Sequence, residues 1–367
     1  MAYTTIDDPS AHFQTAIYSG TGSNQSITND GNSDLQPDWV WVKCRADDGG
    51  AGHRLTDSSR LSSGAPTLTL QTNSTAAEFD DNVASGSAAT TAFNSDGFSI
   101  GTNGNYNTDG DTYVAWQWKA NGGTTTSGGG TDSVSTSAHQ ANTTAGFSIV
   151  TYTGNDTAGA TVAHGLGVVP STIIVKDREQ TKNWNIYHKS INGTPEDFTI
   201  RLNSTAARID TVANAWNDTA PTSSVFSIGD GSQVNSDGIT YVAYVFTEIQ
   251  GYSKFGKYKG NGNDDGPFLY TGFKPAMFFR KRTDGANGWN IWDSKRTPFN
   301  EMHASLAIHT TAVEDSNTGY NDVDFLSNGI KIHDTGDSHN GDGFNYIYWA
   351  WAESPFVSSE GVPTTAR

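Results

Sequence analysis

The sequence has little cysteine and no long apolar segment. Its 367 residues contain one cysteine, Cys44, so an intramolecular disulfide framework is excluded. No apolar run approaches the ~20 residues that span a bilayer, and the N-terminus lacks the charged-then-apolar pattern of a secretory signal. We therefore expect a chain that folds in a cytoplasm and does not insert into membranes, with Cys44 as a buried, inert thiol.

Positive charge is also scarce. The chain has 22 Lys and Arg residues against 39 Asp and Glu residues, which gives a net charge of −17. This balance opposes binding to nucleic-acid phosphates, so we expect no nucleic-acid partner. Two small basic clusters, at residues 254–259 and 280–282, are interpreted as solvated faces or subunit contacts, with an anion site as the alternative.

Helical periodicity is missing as well. No window of a dozen residues places apolar side chains at i, i+3, i+4 and i+7, whereas short β-branched and aromatic runs alternate with Asn-Gly and Asp-Gly turns. Hydrophobic residues make up only 35% of the chain and aromatic residues 11%, so the core must depend on large rings in short strands. The pattern predicts an all-β protein of antiparallel β-sandwich or jelly-roll modules, with helices of one or two turns at most.

What the sequence does contain is a threefold internal repeat. Each copy opens with a Phe-led strand and closes with a Tyr-led strand, and the copies are roughly 105 to 135 residues apart, which is the size of a domain. Further shared landmarks are an apolar run with a basic residue and a Ser/Thr-Thr-Ala step. The equivalent positions are Phe13, Phe147 and Phe255; Lys43, Lys176 and Lys281; Thr75, Thr205 and Thr311; and Tyr113, Tyr241 and Tyr346.

The repeat divides the chain into three tandem modules. We predict module 1 over residues 1–120, a Gly/Ser/Thr-rich linker over 121–144, module 2 over 145–250, module 3 over 251–357 and a C-terminal tail over 358–367. The composition of the linker predicts a flexible or extended spacer. Because the junction near residues 248–253 is short, modules 2 and 3 are expected to pack as a rigid pair.

No catalytic constellation can be assembled from the titratable residues. The paired carboxylates lie in polar settings that would not separate their pKa values, and the nine histidines lack zinc-ligand spacing. We therefore predict a protein that is not an enzyme and has no cofactor, no metal site and no catalytic residue. The residues considered are Asp80 with Asp81, Asp264 with Asp265, Asp322 with Asp324, and His12, His53, His139, His164, His188, His303, His309, His333 and His339.

Three features allow an alternative to a purely structural interpretation. His164 is the most suggestive single residue, and we interpret it as a strand-end side chain satisfied by local backbone groups. The acidic loops at 262–266 and 337–342 are the best candidates for calcium, but they lack the alternating oxygen ligands and terminal Glu, so we interpret them as turns. The tryptophans could stack on sugars, yet they recur in equivalent strand positions, which favours a core role. Any exposed platform is expected on loop residues that differ between the copies.

Seven stretches form a distinctive combination that extends over essentially the whole chain. They are residues 34–43, 113–120, 145–154, 163–167, 251–256, 293–296 and 324–329. In these stretches the chain resembles a family of virion structural, tail-fibre-like proteins of marine tailed bacteriophages. The resemblance implies a virion component without assigned catalytic residues. Cys44 and Arg45 depart from the polar pair expected at that point.

The resemblance and the residues together predict a non-enzymatic phage virion protein, most directly a tail fibre or spike component that contacts the host surface. The alternatives are a capsid decoration or head fibre protein, and a polysaccharide depolymerase. Its location would be the virion, after assembly in the host cytoplasm. We expect a homo-oligomer, with a trimer favoured because three copies multiply weak contacts. The further partners that we expect are other virion proteins and a glycan or protein of the host surface. No binding residue can be named from the sequence alone.

Overall fold

The computed structural model describes residues 2–46, 50–84, 88–128, 130, 132–211, 213–316 and 322–365. Strands make up 41% of the chain and helices 3%, and the sheets are antiparallel, so the predicted all-β class is confirmed. The helices of the described residues are the one-turn segments α1 (Asp81–Ala84) and α2 (Gly104–Asn107) and the 3-10 turns Pro9–Ala11 and Pro195–Asp197. None of these helices has the length or the apolar character needed to cross a membrane.

The strands fall into three groups along the chain. The first group is β1 (Phe13–Ser19), β2 (Gln25–Ile27), β3 (Trp39–Cys44), β4 (Arg54–Asp57), β5 (Leu68–Gln71), β6 (Phe79–Asp80), β7 (Thr90–Phe93), β8 (Phe98–Ile100) and β9 (Thr112–Trp118). The second is β10 (Thr126–Ser127), β11 (Thr136–Asn142), β12 (Phe147–Thr153), β13 (Ala160–Ala163), β14 (Thr172–Asp177), β15 (Asn185–His188), β16 (Phe198–Arg201), β17 (Ile209–Asp210), β18 (Val225–Ile228) and β19 (Thr240–Phe246). The third is β20 (Ser253–Lys259), β21 (Phe268–Tyr270), β22 (Phe273–Arg282), β23 (Trp289–Asp293), β24 (Leu306–Ala307), β25 (Asp322–Leu326), β26 (Gly329–His333) and β27 (Asn345–Pro355).

The same strand order recurs in each group. The large sheets run β1-β9-β3-β4-β5-β6 in module 1, β10-β11-β12-β19-β14-β15-β16-β17 in module 2 and β20-β27-β22-β23-β24 in module 3. The small sheets run β2-β8-β7, β13-β18 and β21-β26-β25. In every module the opening strand therefore pairs with the closing strand, which pairs in turn with the third strand, as expected for copies of one unit.

A tyrosine pair marks the same position in each module. The ring that begins each closing strand stacks on a ring of the opening strand, with centroids 5.1 Å apart for Tyr113 on Tyr18, 5.1 Å for Tyr241 on Tyr152 and 4.7 Å for Tyr346 on Tyr258. In each pair the hydroxyl of the closing-strand tyrosine also accepts a hydrogen bond from a backbone N–H five residues earlier. The repeat thus extends from sequence to side-chain contacts.

The large sheets of the three modules share one core. Trp118, Phe246 and Trp351, which hold the same position in the three closing strands, contact one another with centroids 5.2, 5.4 and 6.4 Å apart. Because each of these aromatic side chains contacts the other two, the three modules surround an approximate threefold axis. A continuous apolar cluster with members from all three modules runs along it. We call this closed arrangement of the three modules the ring.

Adjacent modules contact each other through the same hydrogen bonds at all three junctions. A buried lysine at the end of the third strand donates to a threonine carbonyl of the neighbouring module. An imidazole or indole N–H donates to another carbonyl of the same module. The lysine bonds are Lys43 to Thr311 at 3.2 Å, Lys176 to Thr75 at 3.4 Å and Lys281 to Thr205 at 3.1 Å. The ring bonds are His53 to Ala307 at 3.2 Å, Trp184 to Gln71 at 2.9 Å and Trp289 to Arg201 at 3.0 Å. Module 1 thereby contacts module 3, module 2 contacts module 1, and module 3 contacts module 2, which closes the ring.

The arrangement of the modules differs from the expected one in two respects. The described part of segment 121–144 is not a free spacer, because β11 pairs with β12 over its full length and β10 pairs with β11, so both strands belong to module 2, which begins before residue 145. Modules 2 and 3 do contact each other, through Lys281 and Trp289, but module 1 contacts both of them, so the three modules form one unit. The basic cluster at 280–282 is likewise not a solvated face: Arg280 and Lys281 are fully buried, and Lys281 makes a contact between modules rather than between subunits.

We expect the ring to become more stable as the pH rises from 7 to 9. Burial lowers the pKa of Lys281 to about 7 and that of Lys176 to about 8, whereas an unfolded lysine titrates near 10.4. In this window the unfolded chain binds protons that the folded chain does not, so the free energy of unfolding increases with pH. Urea titrations at pH 7 and pH 9 measure the increase. It should be smaller in a Lys281→Met variant, and an equal increase in both proteins would contradict the assignment.

Candidate functional site

Among the titratable residues considered from the sequence, His164 serves local structure, whereas His53 and His188 bond to backbone carbonyls of a neighbouring module. His164 is buried, its Nδ1 accepts the Leu166 N–H at 3.2 Å, and its Nε2 lies 3.2 Å from the Thr222 carbonyl. Burial lowers the pKa of His164 to about 4, so the imidazole is neutral at pH 7. The interpretation of this residue as a strand-end histidine is confirmed.

The acidic pairs are spread over different modules. Asp81, in module 1, accepts a hydrogen bond from Asn103 at 3.0 Å, while Asp324, in module 3, lies 2.9 Å from His333. In the loop at 262–266 the side chains cap turns, since Asn263 Oδ1 accepts the Asp265 N–H at 3.0 Å. Within the described ranges, no three His, Cys, Asp or Glu side chains gather as metal ligands would.

The aromatic residues divide into a buried majority and an exposed few. Seven tryptophans considered as sugar platforms are at most 2% exposed, which confirms their core role: Trp116, Trp118, Trp184, Trp289, Trp292, Trp349 and Trp351. Cys44 is fully buried, also as predicted. The exposed aromatic side chains include Phe268, Tyr270 and Phe299, at 46%, 54% and 74%. Phe268 and Tyr270 are neighbours on one strand and form the candidate site.

The aromatic pair, as we call Phe268 and Tyr270, lies on the outer face of the module 3 small sheet. Side chains alternate between the two faces of a strand, so Leu269 enters the core while its neighbours point outward. The Phe268 ring covers Gly329, where an added Cβ would lie 2.6 Å from the ring. Gly329 therefore lets the phenyl ring lie down on the sheet.

Hydrogen-bonding groups surround the aromatic pair. The Tyr3 hydroxyl lies 3.2 Å from the Tyr270 hydroxyl and donates to the Gly272 carbonyl at 2.8 Å. Burial and the Tyr270 hydroxyl raise the pKa of Tyr3, which therefore stays protonated. Lys331 is the cross-strand partner of Phe268 and forms an ion pair with the exposed Asp265. The site thus combines two apolar ring surfaces with neutral and charged polar groups.

The other two modules carry small side chains at the positions of the aromatic pair. Because Ile27, Val162 and Leu269 face equivalent partners on β8, β18 and β26, the copies can be aligned residue by residue. Phe268 then corresponds to Ser26 and Thr161, and Tyr270 corresponds to Thr28 and Ala163. The fold forms without aromatic rings at these positions in two of its three copies, so packing does not require the pair.

Sequence reasoning missed these two residues because it considered tryptophans as the sugar-stacking candidates. A signal was present in the repeat itself: Phe268-Leu269-Tyr270 is aromatic where the corresponding stretches of the other copies are polar or small. The expectation that a platform would lie on residues that differ between copies applies to this pair, although the pair is on a strand and not on a loop. The pair is singled out because, among the residues that the structure describes, two neighbouring exposed rings occur in one copy and in neither of the others.

The comparisons with known proteins agree with the extent of the ring. A family model with the description Domain of unknown function (DUF7483) matches residues 8–355, a range that includes all three modules. No curated protein and no solved structure matches the chain significantly.

Proposed function

We propose that this chain, which belongs to the DUF7483 family, is a non-enzymatic structural protein of a phage virion, in a tail appendage that contacts the host surface. The virion assignment rests on the sequence resemblance, and the observation that carries the contact with the host surface is the aromatic pair, which is exposed on one module and dispensable for the fold. Aromatic rings with polar neighbours suit saccharides, because the ring stacks on the apolar face of a sugar and the neighbours bond its hydroxyl groups.

The closed ring supports an attachment role in a second way. Three modules that share one core hold the aromatic pair on a rigid body, so little conformational entropy is lost when a ligand binds. A homotrimer is part of the proposal, since three chains would present three aromatic pairs and convert weak saccharide contacts into useful avidity.

A double variant that copies module 1 tests the binding role. We expect Phe268→Ser with Tyr270→Thr to abolish saturable binding to an array of bacterial surface polysaccharides and to leave the melting temperature within about 2 °C of wild type, because both side chains are exposed. Phe299→Ser is the matched control, since it removes an even more exposed ring, at 74%, from another part of module 3 and should bind normally. Unchanged binding by the double variant would contradict the role of the pair.

Two further readouts test the virion and non-enzymatic parts of the proposal. Gold-labelled antibodies against the chain should decorate the tails of intact particles. Labelling of the capsid would favour the decoration or head-fibre alternative, and the absence of labelling on opened and intact particles would overturn the virion assignment. Release of reducing sugar from a bound polysaccharide would show a depolymerase instead of a binding protein.

A further inference from the structure

The three junctions of the ring are closed in different ways beside the opening strands. Between modules 1 and 2, Gln140 of β11 donates through its amide to the hydroxyl groups of Ser58 at 2.8 Å and Ser59 at 2.6 Å. Between modules 2 and 3, Glu248 accepts the N–H of Phe255 at 3.2 Å and pairs with Lys254 at 3.0 Å. At both junctions, therefore, side chains of this protein supply the contacts beside the opening strand.

The junction between modules 3 and 1, which we call the seam, has an open cavity at the equivalent place. Its volume is about 340 Å³, and its walls include Phe13, Gln14, Thr15, Ser294, Lys295 and Glu353. Ser294 and Lys295 occupy the positions of Ser58 and Ser59, and Thr15 occupies that of Ile149, which faces Gln140 on β11. The seam cavity therefore lies where β11 places its glutamine at the first junction.

The edge of β1 beside the cavity is unpaired. His12 and Gly20 bond toward β9, through Lys119 at 3.0 Å and Asp111 at 2.8 Å. Bonding alternates along an antiparallel strand, so the backbone groups of Phe13, Thr15 and Ile17 point to the other side. At the equivalent positions of module 2, those backbone groups pair with β11.

Thr15 is the clearest sign of a missing partner. The residue is only 5% exposed, yet within the described part of the chain its buried Oγ1 has no hydrogen-bond partner, and its position in the β1–β9 pairing turns its backbone N–H away from β9. Buried polar groups without a partner are uncommon in native proteins, because each forfeits the bonds it makes to water. The strand pairing corrects the alignment of the opening strands, because Phe255 faces Trp349 as Thr15 faces Trp116, so Phe255 corresponds to Thr15 and not to Phe13. The backbone N–H of Phe255 is capped by Glu248.

We propose that the seam binds an extended segment of another polypeptide chain, which adds to β1 as an antiparallel strand in the way that β11 adds to β12. Strand addition supplies affinity through backbone hydrogen bonds and specificity through alternate side chains. The segment would be uncharged and built of small polar residues, because the charges around the cavity are already paired: Lys295 with Asp30 at 2.6 Å and Lys274 with Glu353 at 2.8 Å. A Gln or Asn opposite Thr15 would reach Ser294. The inference does not depend on saccharide binding by the aromatic pair.

A synthetic peptide with the sequence of residues 133–144 of this chain is the probe, because it contains β11. We expect saturable binding of the labelled peptide to the full-length protein by fluorescence anisotropy, and protection of residues 13–19 from hydrogen exchange. A peptide with Gln140→Ala should bind about tenfold more weakly, since it loses its bonds to the seam. A scrambled peptide should not bind.

Protein variants locate the bound peptide. Ser294→Trp fills the cavity and should weaken peptide binding at least about tenfold, whereas Lys257→Trp, on the exposed face of β20, should leave binding unchanged. Both variants should melt like wild type. The proposal is overturned if the peptide does not bind, if Ser294→Trp binds it equally, or if protection appears at β12 instead of β1. Self-association of the chain that Ser294→Trp abolishes, or a saccharide that protects residues 13–19, would assign the seam to a different occupant.

Discussion

Replacing Trp351 by alanine is expected to lower the free energy of unfolding of the whole chain by about 3 to 5 kcal/mol. The side chain is 2% exposed, and its ring lies 5.2 Å from Trp118 of module 1 and 5.4 Å from Phe246 of module 2. The cavity left by the substitution would therefore open at the shared axis, and its cost would fall on all three modules. Urea unfolding followed by far-UV circular dichroism and by tryptophan fluorescence measures the change.

The shape of that unfolding curve is as informative as its midpoint. Wild type and variant should each unfold in a single transition that coincides for both probes, because the core is continuous. Phe299→Ala is the control, since an exposed ring should change stability by no more than about 0.5 kcal/mol. A variant in which module 3 unfolds alone while modules 1 and 2 persist would contradict a shared core.

The second large effect is expected from Arg296→Ile, at about 3 to 5 kcal/mol. The Arg296 guanidinium is fully buried between Asp293, at 2.5 Å, and Glu314, at 3.0 Å, and Arg45 approaches Glu314 from the neighbouring module at 2.7 Å. Removing the arginine leaves Asp293 buried without its partner, and an uncompensated buried charge is costly. Thermal and urea unfolding of the single variant measure the loss.

The other junctions supply matched controls for this ion network. Arg60 pairs with Asp57 at 2.6 Å and with Glu78 at 2.5 Å, so Arg60→Ile should cost about as much as Arg296→Ile. At the third junction His188 and Ile191 hold the corresponding positions, and both are buried. The double variant Asp293→His, Arg296→Ile reproduces this third junction. It should be more stable than the single variant Arg296→Ile, because no buried aspartate is left without its partner. A double variant less stable than the single one would contradict the assigned charge imbalance.

The sequence predicted the features of the fold that follow from local patterns. Alternating apolar residues and Gly-bearing turns predict short strands, and the recurrence of Trp116 and Trp349 in equivalent strands predicts that their rings are buried. These inferences depend on side-chain period and backbone preference, which act within a few residues. For that reason the all-β class and the core tryptophans were predicted correctly.

Ring closure could not be predicted in the same way, because it depends on contacts between distant residues. Lys281 looks like a member of a surface basic cluster, and only the position of module 2 makes it a buried donor. Residues 136–142 have the composition of a flexible linker, yet they form a strand because β12 offers a free edge to pair with. The exposure of the aromatic pair likewise depends on which face of β21 is turned outward, although its aromatic character is visible when the three copies are compared.

Small-angle X-ray scattering of the full chain tests the closed ring most directly. A single compact body of this length has a radius of gyration of about 21 Å, and the pair-distance distribution of the ring should have one maximum. A clearly larger radius with a second maximum, as three modules separated by an extended spacer would give, would contradict the shared core.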